Sequence, residues 1–139
     1  TIRSMGKADD RKTMIEHLKI KVVPRLRTAG FKGSFPHFRR ERGGGWDYLS
    51  FQFDRYGGGF AIEIGKRPGG EKPYPPDTPD SKVTAFHVSQ RERLGTIESG
   101  TDRWFRYDGP SRLLGSRRFS RLETSCIGWI ESEAVPWWG

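Results

Sequence analysis

The run WDYLSFQFDRYGGGFAIEIGKR, Trp46 to Arg67, decides the fold. Leu49, Phe51 and Phe53 alternate with Tyr48, Ser50 and Gln52, the period of two expected of a strand with one apolar face. Tyr56-Gly57-Gly58-Gly59 turns the chain, and Phe60, Ile62 and Ile64 then alternate with Ala61 and Glu63. Two such runs joined by a glycine turn predict an antiparallel hairpin. Upstream, Phe31 to Arg39 reads as a further strand that reaches Trp46 through the turn Glu41-Arg42-Gly43-Gly44-Gly45. Pro36 cannot donate to a ladder and marks an edge or a bulge in that strand. The result is an antiparallel meander.

Downstream, five prolines between 68 and 80 (Pro68, Pro73, Pro75, Pro76 and Pro79) predict an extended polar loop. Pro73 and Pro76 have the PxxP spacing of a ligand for an aromatic groove, against the plainer reading of a connection. Val83–Val88 reads as a fourth strand, Gln90–Gly95 as a charged turn, and Trp104–Tyr107 as a short fifth strand. The chain outside the sheet is helical at both ends. Met14, Ile15, Leu18, Val22 and Leu26 form one apolar stripe, capped by Asp9 or Asp10 and ended by Gly30 in a left-handed conformation. Pro24 predicts a kink or short break at Val22–Pro24. Phe119, Leu122, Cys126, Trp129 and Ile130 form a second stripe, opened by Ser120 with Glu123 or by Ser116, and stopped by Pro136. Trp137 and Trp138 either clamp this helix onto the body or stay free as an anchor.

The expected architecture is therefore α+β: an antiparallel meander of four to five strands, with an N-terminal and a C-terminal helix packed on one face. At 139 residues the chain reads as a single domain, with 1–8 flexible and 68–80 a Pro-rich loop. Only 33% of residues are apolar, but 18 aromatics supply large pieces of core. One cysteine rules out an intrachain disulfide, and no run is long enough to span a membrane. Thr1–Ser4 ahead of Met5 read as an expression remnant, and no apolar run follows the early basic residues, so no secretory leader is expected.

Charge is distributed unevenly. Residues 1–42 hold 12 Lys+Arg and four Asp+Glu, whereas residues 43–139 hold 13 of each, so the first segment carries the whole net +8. An excess confined to one end points to an acidic partner or polyanion, or else to a solvated helix face. Familiar chemistries fare poorly. His17, His37 and His87 lack the spacing of a metal site. Cys126 sits on an apolar stripe, there is no Gly-x-Ser-x-Gly elbow, and the glycine runs lead into strands without Gly-Lys-Ser/Thr. Glu63 stands out as a charge inside a strand, with Asp47 and Asp54 at the ends of another.

Leu26-Arg27-Thr28-Ala29-Gly30-Phe31-Lys32, Phe38-Arg39-Arg40 and Leu49-Ser50-Phe51-Gln52 are followed by Arg93-Leu94-Gly95, Asp102-Arg103-Trp104-Phe105 and Val135-Pro136-Trp137. Over nearly its whole length this order resembles a bacterial family known as domain of unknown function 4304. The resemblance implies an α+β fold and brings no catalytic residues with it. By analogy with other small bacterial domains it suggests an antidote or regulatory partner in a toxin system, although so basic a chain would not neutralise a basic nuclease by charge. The reading that follows is a non-catalytic, cytoplasmic protein-interaction domain. Its contacts are the basic N-terminal segment and an exposed sheet face, with Arg39, Arg40, Arg42, Trp46, Tyr48 and Gln52 as the candidate surface. The alternative is a nucleic-acid-binding module using Arg39, Arg40, Arg42 and Trp46; a small hydrolase-like enzyme is third. No catalytic residue, cofactor, metal or membrane contact is expected.

Overall fold

Helix-forming residues at each end of the chain bury apolar stripes against one face of a sheet, and every other element is placed by that sandwich. A computed structural model describes residues 6–101 and 103–139. Residues 1–5 of the stretch expected to be flexible, Thr1–Ser4 among them, lie outside the described residues; Lys7 and Ala8 are already helical.

The first helix runs as α1 (Lys7–His17), one π-helical turn (Leu18–Val22) and α2 (Val23–Thr28). Its cap is Gly6 rather than Asp9 or Asp10, which fall inside the first turn, where carboxylates suit the helix dipole. The break expected at Val22–Pro24 takes the form of the π turn. It widens the backbone by one residue, so that Pro24 falls in the first turn of α2, where no N–H is needed. At the far end Gly30 (φ 98°) takes the left-handed position. Its N–H donates to Arg27 O and that of Phe31 to Leu26 O, at 3.0 and 2.9 Å, closing a Schellman motif.

The strands are β1 (Lys32–Ser34), β2 (His37–Arg42), β3 (Gly45–Phe53), β4 (Gly59–Arg67), β5 (Gln90–Arg93) and β6 (Phe105–Arg106). They pair antiparallel in the order β1-β2-β3-β4-β5, with β6 also on β4. Phe31–Arg39 is thus two strands rather than one, because Pro36, unable to donate, sits in the turn between β1 and β2. Val83–Val88 is not a strand either. It contains a 3-10 turn, Ala85–His87, capped reciprocally by Thr84 and His87, and the pairing strand is the charged run Gln90–Arg93. A short α3 (Thr96–Ser99) and a 3-10 segment (Gly109–Leu114) lead to α4 (Arg117–Trp129), a second π turn (Ile130–Ala134) and α5 (Val135–Trp138). Ser116, not Ser120, stands at the cap position of α4. Pro136 does not stop the helix, since the second π turn places it in the first turn of α5, as the first π turn does for Pro24.

Both helices lie on the same face. Met14, Leu18, Val22 and Leu26 meet Phe38, Leu49, Phe51, Phe60, Ile62 and Ile64 of the sheet and Phe119, Cys126 and Ile130 of the C-terminal helix. Trp138 packs on Phe31 at 5.0 Å between ring centres and donates from Nε1 to Gly65 O (3.1 Å), so this tryptophan clamps.

The opposite face carries a cover. Val83, Ala85 and Val88 form a second apolar cluster with Tyr48 and Trp46. The approach is close enough that a Cβ on Gly65 would stand 2.8 Å from Val88. Arg67 fastens the cover, donating to Tyr48 Oη, Glu71 O and Asp80 Oδ1 at 3.1, 3.1 and 2.8 Å. The Pro-rich stretch 68–80 is a loop, largely exposed, anchored through Glu71 O and Asp80 by Arg67. Pro73 is buried, so the PxxP pair cannot be presented as a ligand.

Candidate functional site

The six residues singled out in the sequence do not form one surface, because alternate strand positions point to opposite faces. Arg40 and Arg42 lie on the helix side with Asp47, which is 4% exposed. Arg40 donates to Asp47 Oδ2 from Nε (3.0 Å) and Nη2 (2.7 Å), and to Ala29 O from Nη1 (3.1 Å). Arg42 donates to Asp47 Oδ2 (2.8 Å) and to the carbonyls of Trp138 (2.6 Å) and Gly139 (2.5 Å). Arg42 thus lashes the C-terminal helix to β2, while Arg40 ties down the end of the first helix and lies over the Trp138 ring (5.4 Å).

Arg39, Trp46, Tyr48 and Gln52 lie on the other face, under or beside the cover. Tyr48 is fully buried, and Trp46 is half-buried and stacked on it. Burial raises the Tyr48 phenol above its ordinary pKa, opposed by the Arg67 hydrogen bond. Only Gln52 is exposed, and its Oε1 accepts from Arg93 (2.9 Å). The sheet face expected to be open is thus half closed.

The groups that might carry chemistry are mostly consumed internally. The register sets His37, Ser50, Glu63 and Arg93 side by side across four strands. His37 Nδ1 lies 2.8 Å from Ser50 Oγ, and Arg93 Nε donates to Glu63 (2.9 Å). Nucleophilic activation needs the imidazole between serine and acid; here the serine lies between them and is fully buried. Asp10 is paired with Arg118 (3.1 Å), Glu123 with His17 (3.1 Å), and Glu133 accepts from Gly95 N (2.5 Å). Burial, with Glu123 nearby, pushes the Cys126 thiol well above its ordinary value. Among the described residues, no group of three His, Cys, Asp or Glu could hold a metal ion, and no helix is long and apolar enough to cross a membrane.

The basic edge of the first helix is left unspent. Lys7, Arg11, Ile15, Lys19, Val23 and Arg27 follow one another at four-residue steps and form one edge of the first helix. The edge borders two depressions that both include Lys19. The first, about 530 Å³, is walled by the β3–β4 turn and lined also by Asp54, Arg55 and Tyr56. The second, about 580 Å³, is floored by Phe35 and Phe38 beside Ser34. Arg11 lies over Phe53 (5.3 Å), Lys19 over Phe35 (5.9 Å) and Arg27 over Phe38 (5.8 Å). Lys7, Arg11, Lys12, Lys19 and Arg55 make no ion pair among the described residues. Two carboxylates, Glu16 and Asp54, line the first depression, and Asp54 is held below the usual range by the Tyr56 N–H and by Arg106. Tyr56 stands 74% exposed at the rim. The sequence reading had the basic segment but not this edge; the signal was the four-residue repeat of cations beside the apolar stripe.

A family model described as domain of unknown function (DUF4304) matches residues 22–138, most of the chain and nearly all of the architecture above. The chain belongs to the DUF4304 family. The match takes in α2, the sheet, the cover and the C-terminal helix, whereas Lys7, Arg11 and Lys19 precede its start. The basic edge of this DUF4304 domain thus combines a segment outside the matched region with a β3–β4 turn inside it. No curated protein and no solved structure matches the chain significantly.

Proposed function

We propose that this DUF4304 domain is a non-catalytic interaction module of the bacterial cytoplasm that docks an acidic, extended segment of a partner protein along the edge from Lys7 to Arg27. The observation that carries the reading is the row of cations set over phenylalanine rings along one helix edge, bordering two depressions. Twenty helical residues rise about 30 Å, the length of about nine residues of extended chain. Cations four residues apart are separated by about 6 Å along the axis, close to the ~6.6 Å between alternate residues of a strand. A Glu-x-Glu peptide therefore meets Lys7 and Arg11 in step, and the gap to Lys19 takes an apolar side chain beside Ile15.

Nucleic acid fits this edge less well. A duplex offers a charge every ~1.7 Å, denser than the cations, and single strands need free aromatic faces on which bases stack. Here cations already lie over Phe35, Phe38 and Phe53, and Glu16 lines the same depression. Arg40 and Arg42, the cations of the alternative reading, are bound to Asp47.

Fluorescence anisotropy tests the proposal with a labelled peptide of about ten residues alternating Glu with Leu, run beside single-stranded RNA and duplex DNA. The peptide is expected to bind at micromolar levels, and the triple reversal Lys7→Glu, Arg11→Glu, Lys19→Glu should weaken it at least tenfold, about 1.4 kcal/mol. Tighter binding of either nucleic acid, or peptide binding indifferent to the reversal, overturns it.

A further inference from the structure

Three of the four Arg side chains that lie partly or wholly buried on the strands have a carboxylate: Arg40 has Asp47, Arg67 has Asp80 and Arg93 has Glu63. The fourth, Arg39, has none. It makes no hydrogen bond or ion pair among the described residues, although a half-buried guanidinium gains from a counter-charge. Arg39 lines a cavity of about 320 Å³ between the β1–β2 turn and the cover. Lys82 lines it too, exposed and equally without an ion pair, together with His37 and the hydroxyl-bearing Ser34, Ser81 and Thr84. No carboxylate is among its lining residues. The nearest in sequence, Asp80, is held by Arg67 at 2.8 Å.

We infer that this cavity is a binding site for a phosphate group, carried by a small phosphomonoester or as inorganic phosphate. Two cations of different geometry line the cavity with the hydroxyls of Ser34 and Ser81 and with the His37 ring, whose Nδ1 is taken by Ser50 Oγ. Thr84 Oγ1 is engaged by Phe86 N and His87. No acid opposes the two cations, and such cations and hydroxyls suit a phosphate dianion. The volume lies at the lower end of small-molecule sites, enough for the phosphate and a short carrier but not for a folded partner. The site is separate from the basic helix edge in its cations and its elements. The β1–β2 turn forms one wall and residues 81–84 the other, so an occupant would also bridge the cover to the sheet.

Calorimetric titration with inorganic phosphate and with phosphoserine, alongside the His37 imidazole resonances by NMR, tests the assignment. At least one of the two is expected to bind with a dissociation constant of about 1 mM or tighter and to move the His37 signals. Tighter phosphoserine binding assigns a monoester; equal or tighter phosphate binding assigns the free ion. The double variant Arg39→Gln, Lys82→Gln should weaken binding at least tenfold while leaving the urea midpoint unchanged, because neither side chain has an intrachain partner. Absence of binding by both anions at about 20 mM, binding that survives the double variant, or a variant that loses its fold would each overturn the inference. The helix-edge triple reversal should leave phosphate binding intact, so the two proposals fail independently.

Discussion

Replacing Asp47 with Asn separates a structural role for Arg40 and Arg42 from a ligand-binding one. The carboxylate is 4% exposed, and the Arg40 and Arg42 side chains are 20% and 42% exposed. Removing one partner of a fully buried pair costs about 3–5 kcal/mol, and of a surface pair about 0–1. With one partner largely buried and one half in solvent, the cost should fall near 2–3 kcal/mol. For a domain of this size that lowers the melting temperature by about 5–9 °C. Arg42 also holds the Trp138 and Gly139 carbonyls, so loosening it frees the C-terminal clamp. Urea unfolding should show the midpoint falling at constant slope, with Arg42→Gln and Asp47→Asn less than additive in combination. A loss below about 0.5 kcal/mol, the level of an isolated surface pair, would refute the reasoning. It would also return Arg40 and Arg42 to the pool of cations free for a ligand.

Two further outcomes follow from titrating groups. Cys126 is fully buried and its thiol is pushed well up by burial, so a disulfide reagent at pH 8 should label it only at the rate of global unfolding; prompt labelling without denaturant would contradict the packing of α4. His37 is exposed as a residue, yet desolvation of its ring and the facing His87 lower its pKa from the ordinary 6.5. Its folded value therefore lies below its unfolded one. The stability it contributes is complete above about pH 6.5 and is lost as pH falls toward the folded value. The urea midpoint should consequently drop further between pH 7.5 and 5.5 in the wild type than in His37→Gln, and equal drops would refute this.

The amino-acid sequence alone determined the frame, because periodicity and turn chemistry act over a few residues. Alternation in 46–67 set the central hairpin, Gly30 ended the first helix, and two apolar stripes set two helices on one face. Even the first proline's disturbance was legible, although the π turn that absorbs it was not. What the tertiary structure decided was which partner each polar side chain finds, and that depends on residues far apart in the chain. Arg39 and Arg40 are neighbours, yet the pleat sends one to Asp47 and leaves the other facing a cavity closed by residues 81–84. Val83–Val88 looked like a strand because apolar residues at that spacing suit either a ladder or a cover. The choice fell to Gly65, whose missing side chain lets Val88 lie against the sheet. The proposed docking edge was hidden for the same reason: four cations at regular steps are a solvated stripe until the β3–β4 turn and three phenylalanines are brought against them.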